Sequence, residues 1–484
     1  MNWTVAQRIL GLLLMIFSIT MIPPVLISAL FQDHSWLPFV ESFALILGAG
    51  LIVWFPVRGK RKDLRLRDGF VVVASFWTVL GTAGALPLFL ADVPSMSFTD
   101  AVFESMSGLT TTGATVLTGL DSLPKSILYY RQQLQWFGGM GIIVLAVAVL
   151  PMLGVGGMQL YRAEAPGPVK DTKLTPRITE TAKALWYVYL AFTLSCMLAY
   201  MIAGMPWFDA LCHAFSTVAI GGFSTHDLSI GYFDSATIDI VAIIFMMLAG
   251  INFSLHFFAW KSVSVLHYPR DPEFRAYVFI LFVLSVIVVF SLFTLGTYGN
   301  AYDSLIHGLF QSVSIATTTG FTTANYAAWP GALPVLLIFS SFVGGCAGST
   351  GGGIKVIRWL LIAKQGAREI ARLVHPNAEI PVKLGSSGAV PIRVVDAVWG
   401  FFSVYIVVFG LMLLAMMSTG LDQVTAFAAV AASLNNLGPG LGEVAAGFMT
   451  IGDTGKWIAV IGMLLGRLEI FTLLVLITPT FWRH

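Results

Sequence analysis

The sequence predicts an all-α integral membrane protein: an N-terminal pair of transmembrane helices followed by four repeats of span, pore half-helix and span. Three observations carry this. Of 484 residues, 57% are hydrophobic and only 11% charged, with a mean hydropathy of +0.83. Apolar runs near the roughly 20 residues that a span requires recur along the whole chain. Four shorter apolar pieces lie among the later runs, each ending in glycine: Phe103–Gly113, Leu211–Gly222, Leu309–Gly320 and Ala428–Gly438. Half a helix cannot cross a bilayer and a bare turn cannot face lipid, so such pieces survive at membrane depth only around a protein-walled aqueous path.

The elements follow in order. Ile9–Leu30 is the first span, bent near Pro23-Pro24, and it is longer than a signal-peptide core and lacks a clean cleavage site. Leu37–Val57 completes the N-terminal pair. The later spans are Phe70–Leu90, Ile127–Leu153, Ala184–Met205, Ala236–Ala259, Tyr277–Leu295, Leu333–Ile362, Ala397–Met417 and Trp457–Phe481. From the second pair onward the chain cycles through span, half-helix, glycine turn and span, with Gly113, Gly222, Gly320 and Gly438 spaced 109, 98 and 118 residues apart. This periodicity divides the chain into an N-terminal unit, 1–67, and repeats at 68–160, 161–265, 266–375 and 376–484.

Charge sets the orientation. Apart from Lys125, Arg131, Lys456 and Arg467, the basic residues fall at Arg8, Arg58–Arg67, Arg162–Lys183, Lys261–Arg275, Lys355–Arg393 and Arg483. The windows holding the second, third and fourth half-helices contain no Lys or Arg. By the positive-inside rule the basic loops and both termini are cytoplasmic, so the half-helices enter from the outer face. Asp92, Asp100, Glu104, Asp121, Asp209, Asp227, Asp234, Asp303 and Asp422 fall in or near the outer connections. A mouth of that sign concentrates cations. Asp100, Asp209, Asp303 and Asp422 open the half-helices and are expected to cap them.

A cation that sheds its water must be met by several oxygens at once, as rings of backbone carbonyls do in channel filters. Glycine permits the backbone angles this requires. Thr110-Thr-Thr-Gly113 and Thr317-Thr-Thr-Gly320 are near copies, Ala219-Ile-Gly-Gly222 is looser, and Asn435-Asn-Leu-Gly438 is the most divergent. The expected ion-binding residues are therefore Thr111, Thr112 and Gly113; Ile220, Gly221 and Gly222; Thr318, Thr319 and Gly320; and Asn435, Asn436 and Gly438.

These four motifs, with the glycine-rich stretch after the third, resemble the Trk/Ktr/HKT superfamily of potassium transporters, and most of all its bacterial TrkH-type subunits. The similarity spans the whole chain, including the N-terminal pair. The resemblance implies four M1–P–M2 units around one pore with pseudo-fourfold symmetry, K⁺ as the transported ion, a bacterial inner-membrane location and a homodimer in the lipid bilayer, with no nucleic acid as partner. It also implies a cytosolic TrkA-type regulatory ring that carries the nucleotide, so that none is expected on this chain. In that family glycine at the key position of all four loops goes with potassium, and serine in the first goes with sodium; here the first is Gly113.

Two anomalies sit below the filter. Phe342–Lys355 interrupts the second span of the third repeat with Gly344, Gly345, Gly348, Gly351, Gly352 and Gly353. At roughly 1 kcal/mol per glycine a helix does not hold there, which predicts an intramembrane loop. It is not a phosphate loop, since Ile354 separates Gly353 from Lys355 and no βαβ unit follows. Arg467 lies inside an apolar span, where a charge costs a few kcal/mol unless it faces protein or water. The resemblance places it against the glycine loop, so Gly345, Gly348, Gly351, Gly352, Gly353 and Arg467 are the expected gate. Glu469 points to another helical face, toward a neighbouring span.

Cys196, Cys212 and Cys346 fit neither zinc nor disulfide spacing and read as buried hydrophobes. The histidines, among them His213, His226 and His307, lack metal-ligand spacing, and no catalytic constellation is visible. The chain is not expected to be an enzyme. Two transport modes stay open: passive, gated K⁺ flux, and symport coupled to H⁺ or Na⁺. A symporter would normally show midplane carboxylates or inverted repeats, whereas these repeats run parallel.

Overall fold

The structure is a computed structural model that describes residues 3–59, 66–152, 178–385 and 387–483. The basic stretch from Arg162 to Arg177 and the boundary expected between 160 and 161 lie outside the described residues, as do Lys60 to Arg65 of the first basic loop.

The N-terminal pair is Trp3–Ile19 continuing as Ile22–Phe31, then Leu37–Trp54. The break falls at Thr20-Met21, just before the prolines, which occupy the opening turn of the second segment. Pro is tolerated there because the amide it lacks has no helical partner in any case.

Each of the four repeats then reads as helix, short pore helix, helix. The first has Leu66–Ala83 with Leu86–Leu90, then Phe98–Leu109, then Lys125–Met152. The second has Ile178–Ile202, Trp207–Ala219, and Ala236–Ala249 with Phe253–Lys261. The third has Pro272–Thr294, Ala301–Ala316, and Leu333–Ser340 with Val356–Val374. The fourth has Ile392–Met417, Gln423–Leu434, and Asp453–Arg467 with Phe471–Ile477. The pore helices are 12, 13, 16 and 12 residues long, about 18–24 Å at 1.5 Å per residue, against a hydrocarbon core of about 30 Å.

Burial runs opposite to that of a soluble protein. Pore-helix side chains such as Ser105, Ser107, His213, Ser314 and Ser433 are buried, while Phe279, Phe282, Phe290, Phe293, Leu411 and Leu414 on outer helices are exposed. Lipid is as apolar as leucine, so the polar groups gather where protein can bond them.

Two expectations need correction. Spans expected to run straight are broken: Ala236–Ala249 meets Phe253–Lys261 at 92°, and Asp453–Arg467 meets Phe471–Ile477 at 111°. Hydropathy is the same for a straight and a bent apolar segment. What holds the bends is tertiary: the Gly250 carbonyl freed by the first accepts the Cys346 amide at 2.8 Å, and Glu469 in the second pairs with Arg358. A short antiparallel hairpin, Lys383–Leu384 with Ser387–Ala389, precedes Ile392–Met417 in the otherwise helical fold. Finally, only Asp422 caps its pore helix, through Val424 and Thr425 amides at 2.9 and 3.2 Å. Ser97 and Asn300 cap the first and third, and Asp100 and Asp303 sit three residues further in. Pro206 begins the second without a side-chain cap. The carboxylates still complement the positive helix ends from the first turn.

Candidate ion pathway

Each pore helix ends in the same way. Residues 111, 220, 318 and 436 adopt left-handed angles (φ +55°, +54°, +69° and +55°), and Gly113, Gly222, Gly320 and Gly438 follow two places later at φ +80°, +79°, +84° and +96°. The amides of Thr111, Ile220, Thr318 and Asn436 reach back to Gly108, Thr217, Ile315 and Ser433 carbonyls. Those of Thr112, Gly221, Thr319 and Leu437 reach Ser107, Ser216, Ser314 and Ala432 at 2.9, 2.8, 2.8 and 2.8 Å. This pair of bonds is a Schellman closure, built with side-chain-bearing residues where glycine is usual. Three of the four, Thr111, Ile220 and Thr318, are β-branched, a residue type that resists that region.

The four turns form a closed ring. A β-carbon on Gly113 would lie 2.0 Å from the Gly221 oxygen, one on Gly222 2.0 Å from the Thr319 oxygen, one on Gly320 2.1 Å from the Leu437 oxygen, and one on Gly438 2.8 Å from the Thr112 oxygen. Each repeat thus abuts the next, and the fourth returns to the first. The glycines are required twice over, by their angles and by the neighbouring carbonyl.

This geometry re-aligns the fourth turn. Asn436 occupies the place of Thr111, so Asn435 stands one step earlier, level with Thr110 and Thr317, and Leu437 takes the place of Thr112. Side chains brace three turns from behind. Thr110 and Thr317 hydroxyls each meet that of the threonine two places on, at 2.8 Å. Asn435 bonds Tyr405 and Ser341, and Asn436 reaches the Thr112 hydroxyl at 3.0 Å.

The glycine stretch lies directly against this ring. The Gly352 amide donates to Thr318 Oγ1 at 2.7 Å and that of Gly353 to the Asn435 carbonyl at 3.0 Å. A β-carbon on Gly352 would lie 2.0 Å from that same carbonyl oxygen. Gly348 accepts from Phe253, Gly345 accepts from Val356, and Gly351 accepts from the Lys355 ammonium. Arg467, the last residue of its helix, donates to Thr111 Oγ1 at 3.1 Å, to the Thr350 carbonyl at 3.3 Å, to the Gly139 carbonyl at 3.2 Å and to the Gly138 carbonyl. One guanidinium therefore ties the first turn, the first repeat's long helix and the glycine loop together.

A sequence model of the TrkH family, described as cation transport protein, matches residues 38–483. The chain is 60% identical over 478 residues to the Trk system potassium uptake protein TrkH of Vibrio parahaemolyticus, covering 98% of each. It is 56% identical over 484 residues to that of Escherichia coli K12, covering both fully. This chain belongs to the TrkH family. The crystal structure of the potassium transporter TrkH from Vibrio parahaemolyticus superposes on it with a TM-score of 0.91 at 56% identity, over the whole of both chains. The TrkH family is one of multi-pass membrane transporters, not enzymes.

In this TrkH-family chain two of the apparent exceptions to the charge rule, Arg131 and Lys456, are ion-paired. Arg131 bonds Glu104 at 2.7 Å with both side chains fully buried, and Glu104 also accepts from Thr115 and Val116 just past the first turn. Lys456 pairs with Asp100 at 2.6 Å. These two carboxylates brace the pore helices, and their charge is offset by the paired cations.

Sequence reasoning missed Gln135, Glu273 and Leu437, which carry no motif. Glu273, buried at the start of Pro272–Thr294, accepts the amides of Ala347 and Ile357 at 2.8 and 3.0 Å and so clips the middle of the glycine loop to the helix that follows it. Glu273→Ala leaves two buried donors unmet, at about 1–3 kcal/mol each. It is expected to lower thermal stability and raise resting Rb⁺ leak in proteoliposomes, with Glu273→Gln, which keeps an acceptor, staying close to wild type. Equal leak in all three would show that this clip does not restrain the ion pathway.

Just past the second turn, His226 lies between Asp121, which its Nδ1 meets directly, and Asp209 at 3.6 Å, and it stacks on Tyr232. Burial alone would lower its pKa, but the two carboxylates outweigh this and raise it. For Asp121, partial burial is outweighed by the His226 contact and its pKa is lowered. A raised histidine contributes fully below its unfolded value of about 6.5 and loses its contribution as pH rises through the folded value. The melting-temperature difference between wild type and His226→Gln is thus expected to be largest at mildly acidic pH and to shrink as pH rises. A difference constant from pH 5 to 9 would contradict it.

Proposed function

We propose that this chain conducts K⁺ inward across the bacterial inner membrane, through a filter formed by the carbonyl oxygens of Thr111, Thr112 and Gly113; Ile220, Gly221 and Gly222; Thr318, Thr319 and Gly320; and Asn435, Asn436 and Gly438, with Leu437 added. The observation that carries it is the closed ring in which each filter glycine abuts the next repeat's carbonyl. In this reading the carbonyl oxygens of the ring replace the hydration shell of a cation, and the four pore-helix C-termini add their negative ends. The relatives' role in potassium uptake supports K⁺ as cargo.

The gate in this reading is the glycine loop with Gly345, Gly348, Gly351, Gly352 and Gly353, pinned by Arg467. A cytosolic TrkA-type nucleotide-binding ring moves it from the basic inner face, and the chain works as a homodimer with both termini in the cytoplasm. The repeats are taken as units at 68–160, 161–265, 266–375 and 376–484 behind the N-terminal unit, 1–67.

Radiolabelled Rb⁺ uptake into proteoliposomes tests this. Uptake that follows the imposed electrochemical gradient, is competed by K⁺ more than by Na⁺, and is indifferent to a pH or Na⁺ gradient is the expected result. Uptake driven by a proton or sodium gradient would establish a symporter instead, and no uptake would end the reading.

A further inference from the structure

The second filter turn, Ala219-Ile-Gly-Gly222, is the one with no polar side chain of its own. The first and third are braced by paired threonine hydroxyls and the fourth by two asparagines. At the second turn, Gln135 arrives from the first repeat's helix Lys125–Met152, fully buried. Its Nε2 donates to the Gly221 carbonyl at 2.6 Å, and its Oε1 accepts the Phe223 amide at 3.1 Å.

The fit is close. A β-carbon on Gly221 would stand 2.4, 2.5 and 2.8 Å from Cδ, Oε1 and Nε2 of Gln135. Unlike Gly222, Gly221 lies outside the left-handed region, so its angles would accept another residue. What keeps it glycine is the carboxamide filling the side-chain position. One turn earlier on the same helix face, Arg131 donates to the Ser224 carbonyl at 3.1 Å.

We propose that Gln135 is a specificity-determining residue: its carboxamide stands in for the side chain that the second filter turn lacks and fixes the Gly221 carbonyl within the ring. This rests on the reading of that ring as a K⁺ filter. By bonding residues 221 and 223, the carboxamide holds Gly222 between two fixed points, opposite the Thr319 oxygen. It also occupies one lone-pair direction of the Gly221 oxygen and leaves the other for the ion, so it tunes both the position and the field strength of one ligand out of four.

Full-length protein in proteoliposomes, assayed for the ratio of Rb⁺ to Na⁺ flux, provides the test. Gln135→Met keeps the length and packing but has no amide, and is expected to lower the ratio roughly fivefold, the factor set by one net hydrogen bond, while total flux persists. Gly221→Ala alone is expected to reduce flux and ratio together. Gln135→Ala with Gly221→Ala is expected to restore the ratio above that of Gly221→Ala alone, since the new methyl group takes the vacated space. A Gln135→Met ratio equal to wild type overturns the inference, as does a double variant no better than Gly221→Ala. A wild type that fails to distinguish Rb⁺ from Na⁺ defeats the filter reading itself, which is a separate outcome.

Discussion

Replacing Arg467 with alanine is expected to raise resting Rb⁺ flux by one to two orders of magnitude. The guanidinium donates to Thr111 Oγ1 in the first filter turn and to carbonyls of Gly138, Gly139 and Thr350, and it lies over Trp77 at 5.5 Å. Two effects add. A fixed positive charge roughly 6 Å from a passing cation, at an effective dielectric constant of about 20, opposes it by about 3 kcal/mol. The same group is the strut between filter, loop and first repeat, so its loss also frees the loop. Arg467→Lys keeps the charge but not the planar fork of donors, and should fall between the two. Flux of Arg467→Ala equal to wild type, in protein that remains monodisperse, would remove Arg467 from the gate.

Gly113→Ser is expected to raise Na⁺ flux relative to Rb⁺ about tenfold, or about 1.4 kcal/mol of lost discrimination. The position is left-handed at φ +80°, and the new β-carbon would press on the Gly221 oxygen from 2.0 Å. An L-residue in that region costs roughly 1–2 kcal/mol by itself. The oxygen has little freedom to yield, because Gln135 holds it from behind. The ring must therefore open or tilt, and a wider, uneven ring discriminates less between ions by size and field strength. Paired Rb⁺ and Na⁺ uptake on the same vesicles measures this, and an unchanged ratio would show that the first turn does not set selectivity.

The four glycine-ended turns were legible in the sequence because each depends on a few adjacent residues. A half-length apolar run, a polar or acidic start and a glycine at the end are all local. In the fourth turn the sequence marks Asn435 and Asn436 but not Leu437, which takes the place of Thr112, because asparagine is polar and leucine is one apolar residue among many. Only the recurrence of the left-handed residue at 111, 220, 318 and 436 aligns the copies. The bends after Ala249 and Arg467 were not legible, since their freed polar groups are met by residues far along the chain. Glu273 and Gln135 were invisible for the same reason: each acts through backbone amides or a carbonyl more than 70 positions away.

By itself the sequence determined that this protein lives in a membrane, that it repeats one hairpin plan four times, and where each short helix must stop. Hydropathy, capping and glycine angles are properties of neighbours within a turn or two. Only the tertiary structure decided which carbonyl faces which glycine, that Arg467 bonds both the first turn and the glycine loop, and that a glutamine of one repeat bonds the turn of the next. Those depend on distances of a few tenths of an ångström between distant segments, and such distances exist only after the four repeats have closed around their common axis.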